Sequence, residues 1–209
     1  MRPILQELYN KFSGTNVFVV GGGFSLHDFD FSKLNGRNVI AVNAAYKHVD
    51  ETAIIYWGDA SWGVEHESKI KDHPSPYKFS SRLNINLSTD KLGTAGCHWL
   101  QCSGSFGYDS NINNVRGNNS GGQAINFAIN LGAKNIILLG FDMKYTGSRS
   151  HFHKDHTFPT PNSNYNEMFI PSIESLAKET SHLSVDIINC NRNSALRCFK
   201  FGDVEKFLC

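Results

Sequence analysis

The chain is short of the features that define several protein classes. Cysteine is sparse: Cys97, Cys102, Cys190, Cys198 and Cys209 are the five in 209 residues, and no C-x-x-C occurs. An odd count without paired spacing argues against a structural zinc site and a disulfide framework, and favours reduced thiols in a cytoplasmic chain. Charge of one sign is lacking, with 20 Lys+Arg against 19 Asp+Glu and a net charge of +1. Binding of duplex nucleic acid by charge alone is therefore not expected, although a local basic patch stays open. No apolar run approaches the roughly 20 residues of a membrane span. Residues 1–14 carry Glu7 and Lys11 and lack the apolar centre of a signal peptide. There is no G-x-x-x-x-G-K-[ST], which excludes a P-loop. There is also no internal repeat and no low-complexity segment.

What is present suits a packed core: 40% of residues are apolar and 12% aromatic. Residues 1–14 read as a short amphipathic helix with Ile4, Leu5, Leu8 and Tyr9 on one side. Five apolar runs read as strands, at residues 16–20, 38–42, 53–57, 135–139 and 185–188. Continuous apolar strands flanked by helices predict a parallel sheet covered on both faces. Residues 120–131 form the clearest helical pattern, with Ala124, Ile125, Ala128 and Ile129 at a 3.6-residue period and Gly132 as the stop. Further helices are expected at 61–72 and at about 164–180, the latter kinked or restarted at Pro171. The fold class expected is α/β: a Rossmann-like, mostly parallel sheet with helices on both faces. It forms one nucleotide-binding domain over residues 1–209, with a small lid inserted at 143–165.

Small and polar residues collect where the strands end. Gly21–Ser25, Asn43, Asp59, Asp142 and Asn189 each follow an apolar run. Each alone reads as a turn residue. Together they mark the carboxyl edge of the sheet, where doubly wound folds bind ligands. Gly21, Gly22 and Gly23 remove Cβ atoms, so the backbone could approach a phosphate or ribose, and Ser25 could cap the next short helix and touch the ligand. The run is not G-x-G-x-x-G, because Leu26 holds the last position. Asn43 stands where a dinucleotide site has an acidic residue. Asn118-Asn119-Ser120-Gly121-Gly122 opens the 120–131 helix and offers either an anion seat or an ordinary N-cap.

Asp142, in the segment Gly140–Gly147, could hold a ribose, orient a base or bind a metal. Tyr145 could donate to a leaving phosphate. His151, His153 and His156 lie in a long Gly/Ser/Pro-containing loop. They suit a general base, a metal set, or a solvated polar loop. Trp57 and Trp62 near Asp59 could pack a base or sugar, or the core. Asn189, Asn193 and Ser194 could close the site from the C-terminal side or make Asx and Ser turns.

The ordered set GGGFSL, Asn43, NNSGGQAI, LGFDMKYTG and the terminal NSAL stretch resembles one superfamily over residues 16–208. It includes the bacterial CMP-sialic-acid-dependent sialyltransferases, motility-associated glycosyltransferases and archaeal MptE-like 6-hydroxymethylpterin diphosphokinases. The strongest likeness is to short members encoded by tailed phages, with a similar GFDM-x-YTG segment and H-x-H-x-x-H run. That would make the compartment a host cytoplasm. The resemblance implies that Gly22, Gly23, Ser25, Asn43, Ser120 and Gly121 hold a CMP-like nucleotide. It also implies that Tyr145 stabilises the leaving phosphate and that one of His151, His153 and His156 is the general base. The three-histidine cluster departs from the sialyltransferase pattern and keeps a divalent metal open. Relatives in that family often form homo-oligomers.

Three functions stand as expectations. The first is a glycosyltransferase moving a sugar from a nucleotide sugar to a hydroxyl acceptor by direct displacement, with a histidine base and no firm cofactor. The second is a Mg²⁺-dependent diphosphokinase of the pterin type. The third is a non-catalytic nucleotide-binding accessory protein. A modified DNA base, flipped out, is a further acceptor to consider.

Overall fold

A computed structural model describes residues 1–82, 96–153 and 161–208. Nine strands form one sheet: β1 (Asn16–Val20), β2 (Val39–Val42), β3 (Ile54–Trp57), β4 (Lys78–Arg82), β5 (His98–Cys102), β6 (Asn114–Val115), β7 (Asn135–Leu139), β8 (Asp186–Asn189) and β9 (Lys200–Phe201). Their order is β6-β5-β4-β3-β2-β1-β7-β8-β9, and every neighbouring pair is parallel. The fold is α/β and Rossmann-like. The sheet grows outward from β1 in one direction through β6, then resumes beside β1 with β7. The switch point of the topology therefore lies between β1 and β7.

Alternation along β1 divides the core. Val17 and Val19 face one layer, and Phe18 and Val20 the other. The first layer is covered by α1 (Pro3–Phe12), α4 (Ser120–Asn130) and α6 (Ile170–Thr180), through Leu5, Leu8, Phe12, Ile125, Ala128, Ile173 and Leu176. The second is covered by short pieces: 3₁₀ turns at Phe24–Leu26, Phe31–Leu34 and Asn43–His48, with α2 (Ala60–Glu65) and α3 (Glu67–Asp72). Strands that are apolar throughout are thus buried on both faces, as a parallel sheet requires.

Several expectations are corrected in detail. Phe12, rather than Tyr9, completes the buried stripe of α1, while Tyr9 is exposed. The helix expected at 61–72 is broken at His66, which leaves helical geometry between α2 and α3. Four strands carry no run that sequence reading recognised. β4 (KFSSR) and β5 (HWLQC) mix polar side chains into the sheet, and β6 and β9 are two residues long.

Pro171 does restart its helix. α5 (Asn162–Asn164) leads into a π turn at Tyr165–Phe169, in which the Ile170 N–H donates to the Tyr165 carbonyl, and α6 follows. Proline has no N–H to continue the α ladder, and the wider π register sits directly before it. No helix among the described residues is long and apolar enough to cross a membrane.

Candidate functional site

The carboxyl ends of β1, β2, β3 and β7 and the start of α4 enclose a cleft of about 460 Å³. That is within the usual range for a small-molecule site. It runs from Asn43, Gly58 and Asp59 past Gly21–Gly23 and Ser120 to Phe141, Tyr165 and Phe169. It therefore opens at the switch point, where strand ends and helix N-termini diverge.

At its floor, α4 begins with an uncommitted N-terminus. The Asn119 side chain accepts from the Gly122 N–H at 2.8 Å, and the Gln123 N–H reaches the Asn119 carbonyl at 3.2 Å. The N–H groups of Ser120 and Gly121 have no partner among the described residues. Two donors and the positive end of an eleven-residue helix thus point at the cleft. The Ser120 hydroxyl is turned aside and accepts from the Gly58 N–H at 3.0 Å. Gly121 lies against Phe141, so closely that a Cβ would sit 2.9 Å from its ring.

Asn43, at the end of β2, has φ of 51°, a left-handed conformation that non-glycine residues rarely take. Its Oδ1 is buried and has no hydrogen-bond partner among the described residues. Met143, past the end of β7, has φ of 50°. Both line the cleft, and strained backbone of this kind gathers at ligand sites.

The glycine run serves packing as much as access. A Cβ on Gly21 would lie 2.8 Å from the Gly140 carbonyl oxygen, and one on Gly23 would collide with Asp142 Oδ1. Asp142, almost wholly buried, accepts from the Ser25 N–H (2.8 Å), the Ser25 hydroxyl (2.5 Å) and Asn191 Nδ2 (2.8 Å). Its two oxygens tie the loop after β1 to the loop after β8. Ser25 and Asp142, expected at the ligand, are thus engaged with each other.

Asp142 still lines the cleft, whereas Ser25, Asn189 and Ser194 do not. The Ser194 hydroxyl donates to the Phe141 carbonyl (2.6 Å) and accepts from the Leu196 N–H, while Asn189 bonds Asn191 N and the Leu196 carbonyl. Ser194 fastens the C-terminal loop to the segment after β7, and Asn189 holds that loop to the end of β8. Asp59 borders the cleft but caps α2, accepting from the N–H groups of Ser61 and Trp62.

His151 enters the cleft and His153 does not line it. Their rings are 5.2 Å apart, and both lie against Gly22, where a Cβ would be 2.7 Å from His151 Cδ2 and 3.0 Å from His153 Nε2. Between them Phe152 donates its N–H to the Gly22 carbonyl at 3.0 Å, and its ring packs with Phe31 and His48. His156 lies outside the described residues. Among the described residues no three His, Cys, Asp or Glu side chains converge on a metal position.

Tyr145 does not line the cleft. It meets Tyr165 edge to face at 6.2 Å, and Tyr165 does line it. Burial, reinforced by Tyr145 and Asp142, pushes the Tyr165 phenol up to about 12, and the nearby Ser150 hydroxyl offsets this in part. Ser150 Oγ is in turn 2.8 Å from His151 Nδ1.

Sequence reading did not single out Tyr165, Phe169, Ser150 or Gln123. Gln123 is the buried hub below the floor. Its Oε1 accepts from Tyr56 and Ser81, and its Nε2 donates to the Gly117 carbonyl. The 3.6-residue stripe of α4 conceals it as an ordinary helix position. Tyr165 and Phe169 reach the cleft through the π turn, which no spacing rule anticipates.

No family model matches the chain, and no curated protein sequence matches it. A solved structure does: the sialyltransferase CstII from Campylobacter jejuni in complex with a substrate analogue, cytidine-5'-monophosphate. It is 17% identical, superposes with a TM-score of 0.52, and the match covers 90% of this chain and 85% of that one. The chain has a sialyltransferase-like fold. At this identity the likeness speaks for architecture, and the chemistry has to be argued from the cleft.

Proposed function

We propose that the chain is a glycosyltransferase that binds a sugar linked to a nucleoside monophosphate, with CMP as the carrier, and moves the sugar to a hydroxyl acceptor. One observation carries this reading. An uncommitted helix N-terminus, an unpartnered Asn43 Oδ1 and the His151 imidazole meet in one cleft at the switch point. The N–H groups of Ser120 and Gly121 seat the phosphate. Asn43 Oδ1 accepts from a ribose hydroxyl or a base amino group. The CMP held by the solved structure of similar fold supports that choice of carrier.

The electrostatics of the lining favour one phosphate over several. Among the described residues, no lysine or arginine lines the cleft. Both lining carboxylates are engaged, Asp59 in capping α2 and Asp142 with Ser25 and Asn191. A triphosphate donor needs counter-charge, usually Mg²⁺ on uncommitted carboxylates. The described lining supplies no such carboxylate, which weighs against a diphosphokinase.

The reaction is a direct displacement. The acceptor oxygen attacks the anomeric carbon, its proton passes to His151, and the bond from carbon to phosphate oxygen breaks with its electron pair on the nucleotide. The Ser120 and Gly121 N–H groups and the Tyr165 phenol stabilise that anion. Tyr145 acts behind Tyr165. The described parts of the 143–165 segment border the cleft and act as its lid.

A thermal-shift screen of CMP, UDP, GDP, ADP and ATP, with and without Mg²⁺, tests the reading. CMP is expected to raise the melting temperature without metal, because a ligand of the folded state stabilises it. A shift seen only with ATP and Mg²⁺ would point to the diphosphokinase instead. No shift with any nucleotide would end both.

A further inference from the structure

Asn118, the residue before the cap of α4, is bonded in two directions. On one side it grips the π turn and α6. Its Nδ2 donates to the Met168 carbonyl at 2.7 Å, and its backbone N–H donates to the Ser172 hydroxyl at 3.3 Å. On the other side its Oδ1 accepts from Asn119 Nδ2 at 3.2 Å, and Asn119 Oδ1 accepts from the Gly122 N–H at 2.8 Å. We propose that Asn118 is a positioning residue that ties the phosphate seat at the start of α4 to the turn carrying Tyr165, so that one bracket of hydrogen bonds sets the distance between the seat and the phenol. The inference rests on the glycosyltransferase reading above.

The direction of these bonds follows from which atoms can donate. A carbonyl oxygen only accepts, so Asn118 turns Nδ2 toward Met168. Its Oδ1 then faces Asn119 and accepts from the amide there. With Nδ2 engaged in that bond, Asn119 presents Oδ1 to the Gly122 N–H, which is the capping contact of α4. The polarity of the bracket thus runs from the π turn to the cap. The N–H groups of Ser120 and Gly121 stay uncommitted among the described residues.

The grip on the turn is placed where the cleft wall is made. The Met168 carbonyl belongs to the same planar peptide unit as the Phe169 nitrogen. A bond on that carbonyl therefore fixes the plane from which Phe169 departs. Phe169 lines the cleft and meets the Tyr165 ring edge to face at 5.7 Å. The second anchor, Ser172, is buried, and its hydroxyl donates onward to the Ser105 carbonyl at 2.7 Å. Held at 168 and at 172, the turn cannot slide or rotate without breaking a bond to Asn118. The segment needs such a hold, because Pro171 gives no N–H to the helical ladder.

Hydrogen bonds weaken steeply outside a narrow range of distance and angle. A turn displaced by about 1 Å would carry the Tyr165 phenol out of reach of a phosphate seated on Ser120 and Gly121. Asn118 then acts on the ligand through Tyr165. Asn118 itself also lines the cleft, so direct contact with the ligand is the rival account, and the two differ in how their effects combine.

A double-mutant cycle on CMP affinity separates them. Calorimetric titrations compare the parent, Asn118→Ala, Tyr165→Phe and the double variant, each shown to be folded by circular dichroism and melting. Tyr165→Phe should weaken CMP about fivefold through loss of the phenol bond. Asn118→Ala should weaken it about tenfold, by the same loss together with a looser seat. The double variant should bind no worse than Asn118→Ala alone, because the phenol has already been carried away. Asn118→Leu, which keeps the bulk of the side chain, repeats the test if the alanine variant does not fold. A double variant weakened by the product of the two, about fiftyfold, would show that the residues act independently. Parental CMP affinity in Asn118→Ala would show a tie that serves stability alone, and parental affinity in Tyr165→Phe would place the phenol away from the phosphate. Any of these three results would overturn the inference and leave CMP binding by the chain standing. Absence of CMP binding to the parent would overturn both.

Discussion

Asn43 shows how a single residue can hold a binding role apart from a folding role. Its left-handed φ is a cost that glycine would not bear, and its buried Oδ1 has no partner among the described residues. Asn43→Gly should leave the melting temperature unchanged or raise it, while weakening CMP by about fivefold to tenfold through the lost contact. Melting and calorimetric titration together check both halves. Asp142 is the contrasting case. Its oxygens accept from three donors, Ser25 N–H, Ser25 O–H and Asn191 Nδ2. Asp142→Asn would turn an NH₂ group toward donors in a buried site and should cost about 2–4 kcal/mol in urea unfolding. Gly22 differs again, because what a Cβ would strike is the two histidine rings. Gly22→Ala should displace His151 and lower kcat at least tenfold, while the fold survives, as circular dichroism and activity would show.

At the scale of elements, α4 is the part that makes the cleft electrostatically competent. Asn119 caps it through its side-chain oxygen. Asn119→Asp keeps an acceptor there, so stability should hold, but it adds a negative charge beside the anion seat. CMP affinity should fall about tenfold, most strongly at low salt, as titrations at two ionic strengths would reveal. This helix was legible in the sequence because its stripe is regular and Gly132, at φ of 78°, ends it. The strands β1, β2, β3, β7 and β8 were legible for the same reason: they are buried on both faces and so read as unbroken apolar runs.

β4 and β5 were not legible, because their side chains answer to neighbours that only the fold brings close. Ser81, for example, is buried in β4 yet serves the Gln123 hub. The candidate site divides likewise. Strand-end residues such as Gly22, Asn43 and Ser120 follow from the pattern of a parallel sheet. Tyr165 and Phe169 do not, because the π turn that aims them depends on the helix restart at Pro171. Ser25, Asn189 and Ser194 look from the sequence like ligand-facing residues. In the fold their hydrogen bonds go to the loops that build the cleft wall.

The whole molecule is a parallel sheet with two-residue edge strands, β6 and β9. Edges this short offer little template for pairing with another chain. Asp109 is an ionisable group that does not line the cleft. Burial raises Asp109, but hydrogen bonds from Ser103, Asn111 and Asn114 and the Arg116 charge outweigh it and hold its carboxyl below the ordinary value. A depressed folded value means that this stabilisation is present above the unfolded carboxylate range and is lost as pH falls through the folded value. Melting temperature should therefore drop on acidification below about pH 4, and Asp109→Asn should flatten that part of the profile.

The account as a whole depends on one cleft gripping a nucleoside phosphate at the switch point. A crystal structure grown with saturating CMP tests it most directly. The account predicts a phosphate oxygen within about 3 Å of the Ser120 and Gly121 nitrogens, with Asn43 Oδ1 engaged by the nucleoside. CMP bound at another surface, or a cleft that stays unfilled at saturation, would contradict it.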